Sequence, residues 1–227
     1  MLMIRGIIRV ALQVLVLGAL LFLPIGTWQW PRALQFLVGM GSLSLIATIA
    51  MARWSPASLE ARVKKGATKN QPRADRLATL FLALFHIAWF ILIPNDVFRW
   101  KLLPAPPIEA AGLGAVLFLF GYGIMLTAVW QNAFATPIVG DQSERDQILV
   151  DTGLYGHVRH PLYLGHLFFL LGLTLWLESY LALLLVPLVF APVMARILIE
   201  EKTLVETLPG YSGYRNRVLY RLIPRVW

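Results

Sequence analysis

Residues 161–201 read PLYLGHLFFLLGLTLWLESYLALLLVPLVFAPVMARILIEE, and this stretch decides the fold class. Two apolar runs, Pro161–Leu177 and Tyr180–Ile199, are separated by little more than Glu178-Ser179. Each approaches the roughly 20 apolar residues that a membrane-crossing helix needs. The pair reads as a tight helical hairpin that crosses a bilayer and returns. Pro187 and Pro192 should kink its second arm, because a proline inside a helix removes a backbone donor.

Upstream, four further runs have the same character: Ile7–Leu23, Ala33–Met51, Leu77–Pro94 and Ala110–Trp130. The first follows Arg5 and Arg9, as a signal peptide would. The bulky Leu23-Pro24-Ile25-Gly26-Thr27-Trp28 offers no small-residue cleavage site, so an uncleaved span is expected. Composition agrees: 58% of the 227 residues are hydrophobic and 14% charged. Soluble domains carry roughly 45–50% apolar and 25% charged residues. The expectation is an all-α polytopic integral membrane protein with about six transmembrane helices, a C-terminal hairpin and a cytoplasmic tail. No polar linker divides it, so residues 1–227 read as a single domain, 1–130 holding the first spans and a basic loop and 131–227 the chemistry. Without cysteine, disulfides, thiolate metal sites and cysteine nucleophiles are excluded, and no metal site is expected.

The net charge of +8 could signal nucleic acid, but its distribution argues otherwise. Arg5 and Arg9, seven residues of the Arg53–Arg76 loop, two of the Gln131–His160 loop and six from Arg196 onward account for 17 of the 20 Lys and Arg. Six spans put all of these on one side and leave Arg32, Arg99 and Lys101 opposite. Basic loops stay in the cytoplasm, so both ends of the chain and the Gln131–His160 loop are expected there, at the inner membrane for a prokaryotic source. Membrane lipids are the expected partners. The basic stretch Ser55–Asp75 should lie against anionic headgroups, and no nucleic acid is expected.

Candidate chemistry begins at Gln131. In Arg159-His160-Pro161-Leu162-Tyr163-Leu164-Gly165, Pro161 suits the first turn of a helix. Free N–H groups there, with Arg159, could hold an anion; the competing reading is an Arg and a Tyr anchoring a helix end at the interface. Glu200 and Glu201 close the last span, where the helix dipole disfavours carboxylates and membrane depth makes them costly. They need a cation, which a ligand ammonium or sulfonium would supply. Arg196 shares a helix face with Glu200, so a plain i,i+4 ion pair is the alternative. Tyr211, Tyr214, Arg215, Arg217 and Arg221 of the tail read, on composition alone, as interface anchors.

In order, these pieces form Gly-x-Tyr-x-x-x-Arg-His-Pro-x-Tyr-x-Gly, a hairpin, Arg-x-x-x-Glu-Glu-x-x-Leu, and Gly-Tyr-x-x-Tyr-x-x-Arg-Val. From Asn132 onward this resembles the isoprenylcysteine carboxyl methyltransferase family and, in the same region, the phospholipid N-methyltransferases. Upstream, Ser55–Arg62 and Asp75-Arg76-Leu77 are similar to a loop of bacterial members. The resemblance implies S-adenosylmethionine as cofactor, contacted by Gln147, Ile148, Leu149, Val150, Tyr155, His160, Pro161, Leu162, Tyr163, Glu200 and Glu201. It implies Arg196 and Arg159 as catalytic residues, with Arg196 facing the acceptor. That acceptor is a lipophilic small molecule, a lipid or a prenylated cysteine carboxylate. A methyl on sulfonium is already activated, so catalysis is mostly alignment and desolvation. An NADPH-dependent membrane reductase remains open, since sterol reductases resemble this family in their C-terminal part. So does a non-enzymatic transporter or scaffold, although the first four spans carry little interior charge.

Overall fold

The computed structural model describes residues 1–63, 71–135, 139 and 146–227. Lys64, Lys65, Lys69 and Arg145, counted in the charge argument, lie outside the described residues. Among those described the regular structure is helical: α1 Leu2–Phe22, α2 Pro31–Trp54, α3 Pro56–Val63, α4 Arg73–Asn95, α5 Ile108–Gln131, α6 Pro161–Trp176, α7 Tyr180–Leu184, α8 Val186–Thr207 and α9 Tyr211–Arg217. Proline opens several of them. Pro31, Pro56 and Pro161 occupy first positions, where the missing N–H costs nothing.

The four upstream spans match α1, α2, α4 and α5, Leu23 alone lying one residue past its helix, and each helix is long and apolar enough to cross a membrane. The hairpin differs from expectation. The run Tyr180–Ile199 is broken at Leu185, between α7 and α8, because Pro187 starts a new helix instead of bending an old one. Pro192 does lie inside α8. Five helices of spanning length result, with α7 and α8 together forming the fifth. At 16 residues α6 falls short, about 24 Å at 1.5 Å per residue against a core of about 30 Å. It nevertheless reaches the far end of the bundle. Trp176 Nε1 donates to the Arg32 carbonyl (3.0 Å) and Arg32 Nη1 to that of Trp176 (3.3 Å) at the start of α2.

Nor is the hairpin tight. α6 packs chiefly on α5, and α8 on α4. Glycine is the reason. Gly114 and Gly121 on α5 face Gly172 and Gly165 on α6, so the two backbones touch. A Cβ on Gly172 would lie 2.2 Å from Phe118 N, and one on Gly121 would lie 2.5 Å from Gly165 O. Small residues allow this approach where lipid supplies no hydrophobic drive between helices. Large side chains such as Leu15, Val38, Ile46, Leu84, Val116 and Phe120 point outward, as a lipid-facing surface requires.

The end of the bundle opposite Trp176 brings α1, α3 and the chain beyond α5 together. Arg9 Nη2 donates to Val63 O (2.9 Å), and Arg62 Nη2 to Ala135 O (2.8 Å). Replacing Gly172 with alanine should force α5 and α6 apart and cost about 1–3 kcal/mol, as overpacking does. Gly123→Ala, where nothing lies within 4 Å, should cost nothing. Thermal unfolding of the two variants in detergent checks this. Equal melting temperatures would deny the glycine contact its structural role.

Candidate active site

At this end of the bundle lies a cavity of about 790 Å³, mouth included. Its walls come from distant parts of the chain. Asn132, Phe134 and Ala135 follow α5; Gln147, Ile148, Leu149 and Val150 come from the irregular stretch before Asp151; Tyr155 stands on a 3₁₀ turn. Arg159, His160, Leu162 and Tyr163 surround the start of α6. Glu200, Thr203 and Leu204 come from α8, and Leu208, Tyr211 and Tyr214 from beyond it.

Local sequence sets these positions. Asn132 Oδ1 accepts from Phe134 N (2.9 Å), turning the chain out of α5. Gln131 Oε1 accepts from Leu154 N (3.0 Å). Gly153, at φ +60°, lies so close to the Gln131 side chain that a Cβ there would approach it to 2.4 Å. Only glycine satisfies both demands. Tyr214 then closes the wall, its hydroxyl donating to Tyr155 O at 2.7 Å. Burial pushes the Tyr155, Tyr211 and Tyr214 hydroxyls well above the usual phenol range. Glu200 adds to this at Tyr155, and Glu201 then Glu200 at Tyr211. All three remain uncharged.

The neighbouring glutamates have different surroundings. Glu201, 4% exposed, accepts from Arg159 Nε at 2.6 Å and Arg221 Nε at 2.9 Å, with His160 Nε2 at 3.3 Å. It is absent from the cavity wall. Arg159 also donates through Nη1 to Val218 O (2.7 Å) and Leu219 O (2.8 Å). The backbone N–H groups of Arg159 and His160 donate to Tyr220 O and Arg221 O, each at 2.9 Å. The anion site expected ahead of α6 is therefore already filled by the chain's own tail. Glu200 does face the cavity, its side chain 28% exposed, and Tyr163 donates to Oε2 at 3.0 Å. His160 Nδ1 lies 4.0 Å from the same oxygen.

Arg196 departs from its expected partner. It is 4% exposed, and its Nε lies 3.0 Å from Asp75 Oδ1. Asp75 is fully buried, and its other oxygen accepts from Gln71 Nε2 (2.6 Å) and Val139 N (3.2 Å). In place of the alternative i,i+4 pair, Arg196 reaches Asp75 at the start of α4 while Glu200 reaches Tyr163 on α6. Arg196 and Pro161 do not border the cavity; Gln147, Ile148, Leu149, Val150, Tyr155, Arg159, His160, Leu162, Tyr163 and Glu200 all do. Sequence reasoning named Asp75 only within the loop resemblance and gave it no role. The acid stands between Arg73 and Arg76 at the mouth of an apolar run, which was the available signal. Tyr211 and Tyr214 are buried cavity walls, and Arg221 grips Glu201, so they are not simple interface anchors.

Fold and site together define a polytopic helical membrane protein with a small-molecule cavity at one end of its bundle. Residues 110–209 match the family model described as phospholipid methyltransferase. Most of the motifs that carry the family resemblance lie in that region. The protein-S-isoprenylcysteine O-methyltransferase of Saccharomyces cerevisiae is 34% identical over 109 residues, 47% of this chain and 46% of its own. That of Schizosaccharomyces pombe is 36% identical over 83 residues, 36% and 35% of the two chains. The chain thus spans less than half the length of these curated relatives. A solved eukaryotic intramembrane Ras methyltransferase, isoprenylcysteine carboxyl methyltransferase, has the same fold, with a TM-score of 0.57 at 22% identity over 93% of this chain and 73% of that one.

Glu201→Gln should be severely destabilising. It leaves two guanidinium groups without their carboxylate, and breaking a buried ion pair costs about 3–5 kcal/mol. Glu200→Gln, partly exposed and bound by a neutral hydroxyl, should shift stability by about 1 kcal/mol or less. Thermal unfolding distinguishes them, and limited proteolysis should find the tail beyond Val218 cut faster in the Glu201 variant alone.

Proposed function

We propose that this protein transfers a methyl group from S-adenosylmethionine to a lipophilic acceptor at the cytoplasmic face of a membrane, with a prenylcysteine-type carboxylate as the acceptor class. The observation that carries the reading is Glu200. It is a carboxylate bordering a tyrosine-rich cavity, inside the region that matches the methyltransferase family. Its adjacent acid is satisfied by three basic side chains, whereas Glu200 meets a neutral hydroxyl and an imidazole at 4.0 Å.

The residues present fit that cofactor. Bound S-adenosylmethionine would supply a methyl group activated by its own sulfonium charge. Glu200 would bind its ammonium, and the tyrosine walls would favour a nearby cation. Leu149, Leu162, Leu204 and Leu208 supply apolar surface and exclude water. Arg196 would orient an ionised carboxylate acceptor, which needs no base; Asp75 fixes the guanidinium in turn. An amine acceptor would need a base, and His160 is placed for it. Arg159, committed to Glu201 and the tail, acts in this reading by positioning His160 and Tyr163. The N-terminal spans belong to the same working unit, because Asp75 comes from α4. The names of the two yeast relatives and of the solved structure support carboxyl methylation.

S-adenosylmethionine or its demethylated product should stabilise the detergent-solubilised protein, by about 2.7 kcal/mol at a hundredfold excess over Kd. Glu200→Gln should weaken that binding roughly ten- to a hundredfold, the cost of a charge-assisted hydrogen bond. Arg196→Met, paired with Asp75→Asn so that no buried charge is orphaned, should retain cofactor binding and lose transfer to a carboxylate acceptor. Calorimetry and product assay read the two effects separately. Stabilisation by NADPH and by neither methyl-donor ligand would reverse the assignment.

Sidedness has its own test, convenient in a chain without cysteine. A cysteine at Thr152 should react with an impermeant thiol reagent only after the membrane is opened, and one at Gln29 should react in intact cells. The opposite pattern would place the cavity away from the cytoplasm.

A further inference from the structure

Away from the cavity, two histidines meet between α4 and α6. His86, in the middle of α4, has its Nε2 2.9 Å from Nε2 of His166. His86 Nδ1 lies 2.8 Å from the carbonyl oxygen of Leu82. A carbonyl oxygen only accepts, so this nitrogen carries the proton. For two uncharged rings the remaining assignment follows. His86 Nε2 accepts, His166 Nε2 donates, and His166 Nδ1 is left as a bare acceptor. No donor among the described residues reaches that nitrogen.

The ring is held by aromatic packing, parallel to Phe169 on its own helix (6.2 Å, 10°) and to Phe190 on α8 (6.1 Å, 23°). Both histidines are partly exposed on the bundle surface. Two neutral rings joined by one N–H···N bond, with the second proton on a carbonyl, always leave one lone pair. Here it falls on His166 Nδ1, at a depth where water is scarce and an unmet polar group is costly. Its height matters too. His166 is three residues beyond Tyr163, about 4.5 Å further along α6 into the apolar part of the bundle. A molecule with its reactive end near Tyr163 and Glu200, and its chain in the membrane, passes this level.

We propose that His166 Nδ1 recognises a hydrogen-bond donor on the lipophilic acceptor, so that the histidine pair selects acceptors with an amide N–H, hydroxyl or amine near the reactive end over those with a bare chain. The proposal rests on the methyl-transfer reading and specifies its substrate class. Phe190 and Phe169 set the plane of the ring, and His86 sets which nitrogen is bare.

Two probes isolate the donor. N-acetyl-S-farnesylcysteine has an amide N–H beside its carboxylate; 3-(farnesylthio)propionic acid keeps chain and carboxylate and lacks the N–H. Purified protein with labelled S-adenosylmethionine should prefer the first about tenfold in kcat/KM, one hydrogen bond's worth. In His166→Phe, which retains the aromatic packing, the ratio should fall to near one. In His166→Asn, whose amide can both donate to His86 and accept, part of the preference should return. Calorimetric binding of each probe without cofactor should show the same pattern. An unchanged ratio in His166→Phe, whether or not stability drops, overturns the proposal and leaves methyl transfer standing. Absence of transfer to both probes in the unaltered protein, with cofactor bound, overturns the acceptor reading and this proposal together.

Discussion

Glu201 is the point where three distant pieces of chain are tied. It binds Arg159 from the approach to α6, Arg221 from the tail, and His160 beside the cavity, and it is almost wholly buried. Two charges removed from water are costly unless every lone pair and proton finds a partner. Much of that demand is met: Arg159 passes Nη1 donors to Val218 O and Leu219 O, and the adjacent backbone groups continue the seal. The tail is thereby closed over the start of α6, and Tyr211 and Tyr214 are carried into the cavity wall. Without that network the cavity would lose one side.

The network also gives the Glu-Glu pair its meaning. Consecutive helix residues point about 100° apart, at 3.6 residues per turn, so two adjacent acids cannot share one environment. One is consumed by structural cations, and the other is left facing an empty volume lined with phenols. Sequence alone marks both as anomalous at a helix C-terminus and cannot say which is which. Deciding that requires knowing on which side α6 and the tail approach, a matter of tertiary packing.

Much of the architecture was legible because hydrophobic length is a coarse, robust signal. Four upstream spans matched their helices, and the motif region from Gln147 to Tyr163 converged on the cavity. Where the reading failed, the cause was specific. Pro187 was taken for a kink, yet its missing N–H falls where a helix can begin, so α7 and α8 separate at Leu185. The tight hairpin was inferred from a two-residue joint, but joint length says nothing about which faces attract. Gly114, Gly121 and Gly172 were unremarked among 17 glycines and Gly165 was noted only as a motif position, and the four bind α6 to α5 rather than to α8. Helical spacing offered Arg196 a partner only in Glu200, as the alternative to facing an acceptor, whereas a fully buried acid over a hundred residues away lies against it.

That last error shows what the N-terminal half contributes. Asp75 lies outside the 110–209 region, yet it binds Arg196, and through Val139 N it also holds the chain that lines the cavity. A guanidinium on a long flexible stem loses considerable entropy when fixed. A buried carboxylate 3.0 Å away, itself held by two hydrogen bonds, spends that entropy during folding and not when a ligand arrives. The result is preorganisation: the cation's direction is set before a ligand is present. α4 is thus more than membrane anchorage. It presents Asp75 to Arg196 near the cavity and His86 to His166 deeper in the bundle, both on faces turned toward the C-terminal helices. Under the proposed methyl transfer, a transferable group at the cavity and a lipophilic chain in the membrane would need a polar path along one seam, and α4 would supply one side of it.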